Sequence, residues 1–273
     1  MKIPSHWSQA TAEEVDGQGH KVSISCWRSS DISQDDAHQS ALNAAKRALG
    51  RLIRGERLDD YAYGERPMRE EVLNVIADPT GEPWIAITRN SYGAVILNTA
   101  KVAFIDLDFP PATIGGQWNA LFSRLMGKTT ASADAQRESQ IWNRLEQCVM
   151  ENPGYGFRVY RTSAGLRALA THALFDPADP STVHLLDRLG SDPLYVRLCK
   201  SQGCFRARLT PKPWRCGYVS NPIRWPREDA RQQARFEKWE AKYTSRQAKF
   251  ATCRLLGTLG TGLVAWWRRG RRL

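Results

Sequence analysis

Two aspartates within one apolar segment are the residues of this chain best suited to chemistry. Asp106 and Asp108 alternate with apolar residues in the stretch Lys101–Phe109. Residues two apart on a β-strand point to the same face, so both carboxylates are predicted to share one face and the apolar side chains the other. Two carboxylates roughly 7 Å apart repel each other unless a cation or a base lies between them. The pair therefore predicts a site for Mg²⁺ or Mn²⁺, with two solvent-facing acids on an edge strand as the alternative.

A second polar segment, Tyr160–Arg167, is predicted to form a hairpin turn. The turn residues Ser163 and Gly165 would leave backbone N–H groups free to bind phosphate. Arg167 follows the turn directly, where its guanidinium would hold a phosphate through two parallel hydrogen bonds. His172 lies at the end of the strand that follows. The alternative is an ordinary polar hairpin.

A third segment begins with an acid and continues into a group of bases. Asp192 and Tyr195 are followed by Arg206, Arg208, Lys212 and Arg215. Arg206 and Arg208 are two apart on a predicted strand and share one of its faces. One acid followed by four bases suits a site that handles triphosphates and a nucleic-acid backbone. A structural network of ion pairs is the alternative.

In this order, the three segments resemble the catalytic core of the archaeo-eukaryotic primase superfamily, the primase-polymerases, over residues 83–215. That family has a DxD strand that binds divalent metal, a hairpin of the type S-x-G-x-H that contacts the incoming nucleotide, and a later Asp followed by Tyr, Arg, Arg and Lys. The matching residues here are Asp106, Asp108, Ser163, Gly165, Asp192, Tyr195, Arg206, Arg208 and Lys212. The chain departs from the family at Arg167, which stands in the place of the motif's His.

The resemblance implies two-metal phosphoryl transfer with nucleoside triphosphates and nucleic acid as partners. It assigns the metal to Asp106, Asp108 and Asp192. It assigns nucleotide binding to Ser163, Gly165, Arg167, His172, Tyr195, Arg206, Arg208 and Lys212. The leading hypothesis is thus a metal-dependent nucleotidyltransferase of primase-polymerase type. The alternatives are a non-catalytic nucleic-acid-binding replication or plasmid protein with a degenerate form of this fold, and a metal-dependent nuclease.

The basic charge of the chain is concentrated in its last 77 residues. Residues 1–196 have a net charge of −4, whereas residues 197–273 have a net charge of +15. This asymmetry indicates a polyanionic partner, with a solvated helix face as the alternative. Bases three and four apart predict a stripe along one helix, at Arg231, Arg235, Lys238, Lys242 and Arg246. The terminal Trp266, Trp267, Arg268 and Arg269 are predicted to bind single-stranded nucleic acid, with an anionic membrane surface or a disordered solubilising tail as the alternatives. Arg215 is a further candidate for binding nucleic acid.

The pattern of elements predicts an α+β fold with a mainly antiparallel sheet flanked by helices and a long basic C-terminal helix. Strands are predicted at Lys21–Trp27, Pro83–Thr88, Ala94–Leu97, Lys101–Phe109, Phe157–Arg161, Leu166–Thr171 and Cys204–Leu209. Helices are predicted from Ser33 to about Arg54, from about Ala133 to Glu151, near Asp179–Leu189, and from about Pro226 onward. We divide the chain into an N-terminal part (1–80), a catalytic-like core (81–218) and a basic helical extension (219–273).

Composition and the distribution of apolar residues indicate the class of the protein and its location in the cell. The chain has 273 residues, 42% of them hydrophobic and 25% charged, which is typical of a globular protein. No apolar stretch reaches the roughly 20 residues of a membrane span, and the first residues lack a secretory pattern, so a cytoplasmic location is expected. Six scattered cysteines are then expected to be reduced thiols. A zinc site at Cys199, Cys204 and Cys216 is a weaker hypothesis, because their spacing matches no zinc-binding pattern that we can name.

Overall fold

The fold was analysed in a computed structural model, which describes residues 1–4, 6–56, 68–109 and 131–260, with side chains from residue 134 onward in the last range. In these ranges the protein is a mixed α+β structure, with three antiparallel sheets flanked by five α-helices. The predicted fold class is confirmed at this level. None of the described helices is both long and apolar enough to cross a membrane.

The described ranges contain ten β-strands and five α-helices. The strands are β1 (His6–Val15), β2 (Lys21–Ser30), β3 (Glu71–Ala77), β4 (Pro83–Arg89), β5 (Val95–Thr99), β6 (Phe104–Asp108), β7 (Gly156–Arg161), β8 (Gly165–Ala170), β9 (Phe205–Arg208) and β10 (Arg254–Gly260). The helices are α1 (Gln34–Ile53), α2 (Ala131–Glu151), α3 (Pro180–Leu189), α4 (Pro193–Gln202) and α5 (Ala230–Gln247).

The N-terminal hairpin of β1 and β2 packs on α1. The helix begins after Ser33, whose side-chain oxygen accepts a hydrogen bond from the Asp36 backbone N–H, as the sequence predicts. Ala12 of β1 packs against Ala45 and Leu49 of α1, and these three residues form a small core of their own. One face of the hairpin is thereby covered by the helix, and the opposite face is left for other contacts.

The first four-stranded sheet has the order β3-β4-β5-β9. Its strand β9 enters from far along the chain and pairs with β5, so that Arg206 lies opposite Asn98 and Arg208 lies opposite Ile96. This pairing brings the predicted basic strand beside a hairpin located about one hundred residues earlier.

The second four-stranded sheet has the order β10-β7-β8-β6 and covers the main core. Ile105 and Leu107 of β6 are fully buried on its inner face, against apolar residues of α2, α3 and α4. Asp106 and Asp108 therefore lie on the other face, as the alternation of the sequence predicts. The core thus holds in place the strand that carries both carboxylates.

The C-terminal region differs from the predicted helical extension. The helix α5 ends at Gln247, and the chain returns to the second sheet as β10, which pairs with β7. Leu255–Gly260 is rich in glycine and carries little strand propensity of its own, so its conformation comes from the pairing. The helix α4 was not predicted either, although Asp192 and Pro193 are typical of a helix start.

Candidate active-site cleft

A cleft of about 1160 Å³ opens between the β1–β2 hairpin and the two four-stranded sheets. We call it the central cleft. The predicted site residues that line it are Asp106, Asp108, Arg167, Asp192, Tyr195, Arg206, Arg208, Lys212 and Arg215. Residues from all three of the sequence segments therefore lie on one concave surface, although up to about one hundred positions separate them along the chain.

Arg167 is bound to the first aspartate of the pair. The strands β6 and β8 are neighbours, and Asp106 lies directly opposite Arg167. The Arg167 Nη2 and Nε atoms donate to Asp106 Oδ1 over 2.6 and 3.2 Å. Burial disfavours the charged guanidinium, but the adjacent carboxylate outweighs this effect, so the pKa of Arg167 is raised. Arg167 thus holds one of the candidate metal ligands in an ion pair.

Asp108 has no such partner among the described residues. Desolvation by its surroundings is the largest influence on its carboxyl, followed by the negative charges of Asp106 and Asp192, and together they raise the pKa of Asp108. Arg208 and Arg167 offset this only in part. A carboxylate crowded by two others is a group that a cation would stabilise.

Asp192 is fixed beside this pair by the backbone. Its N–H donates to the Asp106 carbonyl oxygen over 3.0 Å, and its side chain accepts from the Leu194 N–H over 3.1 Å at the start of α4. The Ser191 hydroxyl also donates to the Asp106 carbonyl oxygen, over 3.2 Å. The cap of α4 therefore anchors the third aspartate to β6.

In this structure the three carboxylates are not arranged as a set of metal ligands. Within the described part of the chain, no three His, Cys, Asp or Glu side chains are grouped closely enough to hold a metal ion. Asp106 is engaged by Arg167, and Asp192 caps its helix. Their oxygen chemistry and the raised pKa of Asp108 nevertheless fit a hard divalent cation.

The three cysteines of the zinc hypothesis do not form one cluster, because Cys216 lies apart from Cys199 and Cys204. Cys199 belongs to the main core, whereas Cys216 packs with residues of α5 in a separate cluster. Burial is the main cause that raises the pKa of Cys199 to about 12 and that of Cys204 to about 11. Both thiols are thus protonated near neutral pH.

Three further bases of the cleft lining form what we call the cleft cluster: Arg208, Lys212 and Arg215. None of them makes an ion pair with an acidic residue of the described ranges. Burial, followed by the charges of Arg208 and Arg215, lowers the pKa of Lys212. Burial and Arg208 likewise lower the pKa of Arg215. Like charges held together in this way favour an anionic ligand between them.

Two other predicted nucleotide-binding residues have structural partners. The Tyr195 hydroxyl donates to the Phe104 carbonyl oxygen over 2.9 Å and accepts from the Arg206 N–H over 3.3 Å. The Arg206 side chain donates to both carboxylate oxygens of buried Glu70, over 2.7 and 2.8 Å. Both residues line the cleft, but their polar groups tie its walls together.

Three predicted residues lie off the lining of the cleft. His172 stacks on Tyr155 with ring centroids 4.0 Å apart and hydrogen-bonds to the backbone of Gly156. Ser163 is exposed, and only Ala164 of its turn reaches the cleft. A Cβ atom on Gly165 would lie 2.2 Å from the Leu107 carbonyl oxygen. This glycine is therefore required for the close approach of β8 to β6.

The predicted nucleic-acid-binding stripe on α5 forms an exposed surface away from the central cleft. Its bases alternate with Phe236, Trp239 and Tyr243, which are buried on the other side of the helix. Arg246 donates to the Gly217 carbonyl oxygen. The terminal Trp266, Trp267, Arg268 and Arg269 lie outside the described residues.

Several residues of the cleft were not predicted from the sequence. Tyr92 and Asn90 belong to the β4–β5 turn, which carries a recognisable turn sequence but no chemical motif. Trp7 and Trp27 come from the N-terminal hairpin, where only β2 was predicted. Only its ion pair with Arg206, which local sequence patterns do not reveal, identifies Glu70 as a residue of the cleft.

Searches with family models, curated proteins and solved structures gave no match to this chain. The function is therefore inferred from the residues of the central cleft and from their arrangement.

Proposed function

We propose that the protein is a metal-dependent nucleotidyltransferase of primase-polymerase type that acts on nucleic acid. One observation carries this proposal. The paired aspartates of β6, the Arg of the adjacent strand β8 and the aspartate at the start of α4 line one cleft together with the bases of the cleft cluster, which have no acidic partner in the described ranges. Phosphoryl transfer needs this combination of carboxylates and cations in one concave site.

The cleft cluster supplies the side chains for the triphosphate. Arg208, Lys212 and Arg215 lack acidic partners in the described ranges, so their charge is available to phosphate oxygens. Arg guanidinium groups bind phosphate through two parallel hydrogen bonds, and lysine binds it as a compact charge. Arg167 adds a further cation, which would be shared between Asp106 and the ligand.

The carboxylates that would hold Mg²⁺ or Mn²⁺ are those of Asp106, Asp108 and Asp192. The chemistry that such a cation supplies is activation of a 3′-hydroxyl and neutralisation of the departing pyrophosphate. The hydrogen bonds that Ser191 and Asp192 make to the Asp106 carbonyl oxygen hold the start of α4, which carries the third aspartate, against β6, which carries the other two.

A second candidate function is binding of nucleic acid without catalysis. The ion pair between Arg167 and Asp106 favours it, because this Arg occupies the position of the motif's His and engages a carboxylate that would otherwise face a metal. In that case, the cleft would bind phosphates through its bases, and the aspartates would have a structural role.

The test is incorporation of labelled nucleoside triphosphates on single-stranded and primed templates with Mg²⁺ or Mn²⁺. We expect the wild type to incorporate nucleotides and Asp108→Asn to lose incorporation. Asp192→Asn keeps an oxygen that can cap α4 while it removes the charge, so we expect a folded but inactive protein. Glu14→Gln, an exposed acid of β1, is the matched control and is expected to keep wild-type activity.

Three outcomes would decide between the candidate functions. Incorporation that Asp108→Asn abolishes supports the transferase. Salt-sensitive binding that is equal in the wild type and in Asp108→Asn, without incorporation, supports the binding protein. Metal-dependent shortening of the template by the wild type alone would instead establish a nuclease.

A further inference from the structure

The face of the N-terminal hairpin that turns away from α1 carries two tryptophans. In β1 and β2, Ala12 and Ile24 pack towards the helix, so the residues that alternate with them point the other way. Trp7 lies opposite Ser29, and Trp27 lies opposite Gln9. The two indoles are thus diagonal neighbours on one face, with their Cβ atoms roughly 7–8 Å apart.

This face lines the central cleft. Both tryptophans are partly exposed and line the same cleft as the aspartates and the cleft cluster. The Arg69 guanidinium stacks over the Trp27 ring, with its Cζ atom 4.0 Å from the ring centroid. The guanidinium covers one face of the Trp27 indole and places a positive charge beside the two rings, and indoles and guanidinium groups are both groups on which bases stack.

The charge of the cleft suits a polyanion. Its lining residues include nine basic and five acidic side chains, and two of the acids, Asp106 and Glu70, are each held by an Arg. On the hairpin face itself, the side chains beside the tryptophans are neutral and polar, namely those of Gln9, Thr11, Ser25 and Ser29. Asp31 lies beyond the end of β2. A phosphate backbone can therefore cross this face without meeting a row of carboxylates.

We propose that the Trp7–Trp27 face is a stacking platform for single-stranded nucleic acid, which holds the template strand as it enters the central cleft. The assignment of that strand as a template rests on the proposed function. Two stacked bases and a nearby cationic wall are the combination by which proteins bind single strands without reading their sequence. A duplex presents no free base faces, so the platform discriminates against it.

The experiment measures binding of a labelled single-stranded oligonucleotide by fluorescence anisotropy, with the full chain and without nucleotide or metal. The test variant is Trp7→Leu with Trp27→Leu, and the matched control is Trp7→Phe with Trp27→Phe, which keeps aromatic faces. We expect the leucine variant to bind about 30-fold more weakly, which corresponds to about 1 kcal/mol for each ring, and the phenylalanine variant to bind within about threefold of the wild type. Circular dichroism melts establish that both variants are folded.

The named outcomes separate this inference from the proposed function. Equal binding by the wild type and the leucine variant would overturn the platform, as would equal losses in the leucine and phenylalanine variants. Equal binding of duplex and single strand, or displacement of the strand by an acidic peptide of similar charge, would also overturn it. The binding assay contains neither nucleotide nor metal, so its result does not depend on catalysis. A failure of incorporation alone therefore refutes the transferase and leaves the platform standing.

Discussion

At the scale of single residues, Asp108 carries an electrostatic cost that its neighbours do not relieve. Desolvation and the charges of Asp106 and Asp192 raise its pKa, so the ionised side chain is unfavourable in the folded protein. Asp108→Asn removes that charge, and we expect a higher Tm than that of the wild type near neutral pH, measured by differential scanning calorimetry. The control Glu14→Gln should leave the Tm unchanged. A lower Tm for Asp108→Asn would contradict this electrostatic account.

The same calorimetric experiment with added Mn²⁺ tests whether Asp108 binds a metal. A ligand that binds only the folded state raises its stability, by about 2.7 kcal/mol at one hundred times its Kd. We expect added Mn²⁺ to raise the Tm of the wild type and to leave that of Asp108→Asn unchanged. Equal shifts in both proteins would place the metal away from Asp108.

His172 is a structural residue whose burial makes it sensitive to acid. Burial lowers its pKa below the ordinary value of 6.5, although the hydrogen bond to Gly156 acts in the other direction. As the pH falls, His172 in the unfolded chain therefore binds a proton before His172 in the folded protein does. The stability that neutral His172 contributes is fully present above about pH 6.5 and decreases as the pH falls below that value. We expect His172→Phe to flatten this decline in urea melts between pH 7 and 5. His184→Gln, at an exposed position of α3, should keep the wild-type decline.

At the scale of elements, the contact between β6 and β8 determines where the carboxylates lie. A Cβ atom on Gly165 would lie 2.2 Å from the Leu107 carbonyl oxygen and 2.7 Å from the Asp108 Cα atom. We therefore expect Gly165→Ala to lower the free energy of unfolding by about 1–3 kcal/mol. Gly154→Ala is the matched control, because a Cβ atom there meets nothing within 4 Å. Equal stability of the two variants would show that the strands can separate without cost.

Alternation and capping made some of these elements predictable from the sequence. The alternating residues of Lys101–Phe109 predict both the strand β6 and the face of its aspartates, and Ser33 predicts the start of α1. The strand β1 was missed because its buried positions carry small residues, Ser8, Ala10 and Ala12, which give little hydrophobic contrast.

The pairing of side chains across strands was the part that the sequence did not predict. The ion pair between Asp106 and Arg167 depends on the register of β6 and β8, and the one between Glu70 and Arg206 joins positions 136 residues apart. Local patterns predicted which residues are polar. They did not predict which of those residues would already be engaged with each other.

At the scale of the whole molecule, eight of the 19 bases in the last 77 residues lie on two described surfaces, three in the cleft cluster and five in the stripe on α5. Replacing the three bases of the cleft cluster by Gln should weaken single-strand binding at least tenfold. It should also reduce the slope of log K against log salt by about 2 between about 50 and 200 mM salt. Arg231→Gln with Arg235→Gln and Lys238→Gln removes the same charge from the stripe, and we expect a loss below threefold. The reverse ranking would place the nucleic acid on α5.

The position of β10 has a consequence for how the protein is made. This strand lies beside β7 in the sheet that carries the carboxylates, yet roughly 90 residues separate the two along the chain. A ribosome adds about 5–20 residues each second, so the open edge of β7 waits about 5–20 s for its partner. An unpaired edge is a template for association with other chains. The nascent protein therefore carries an unpaired sheet edge until β10 has been synthesised.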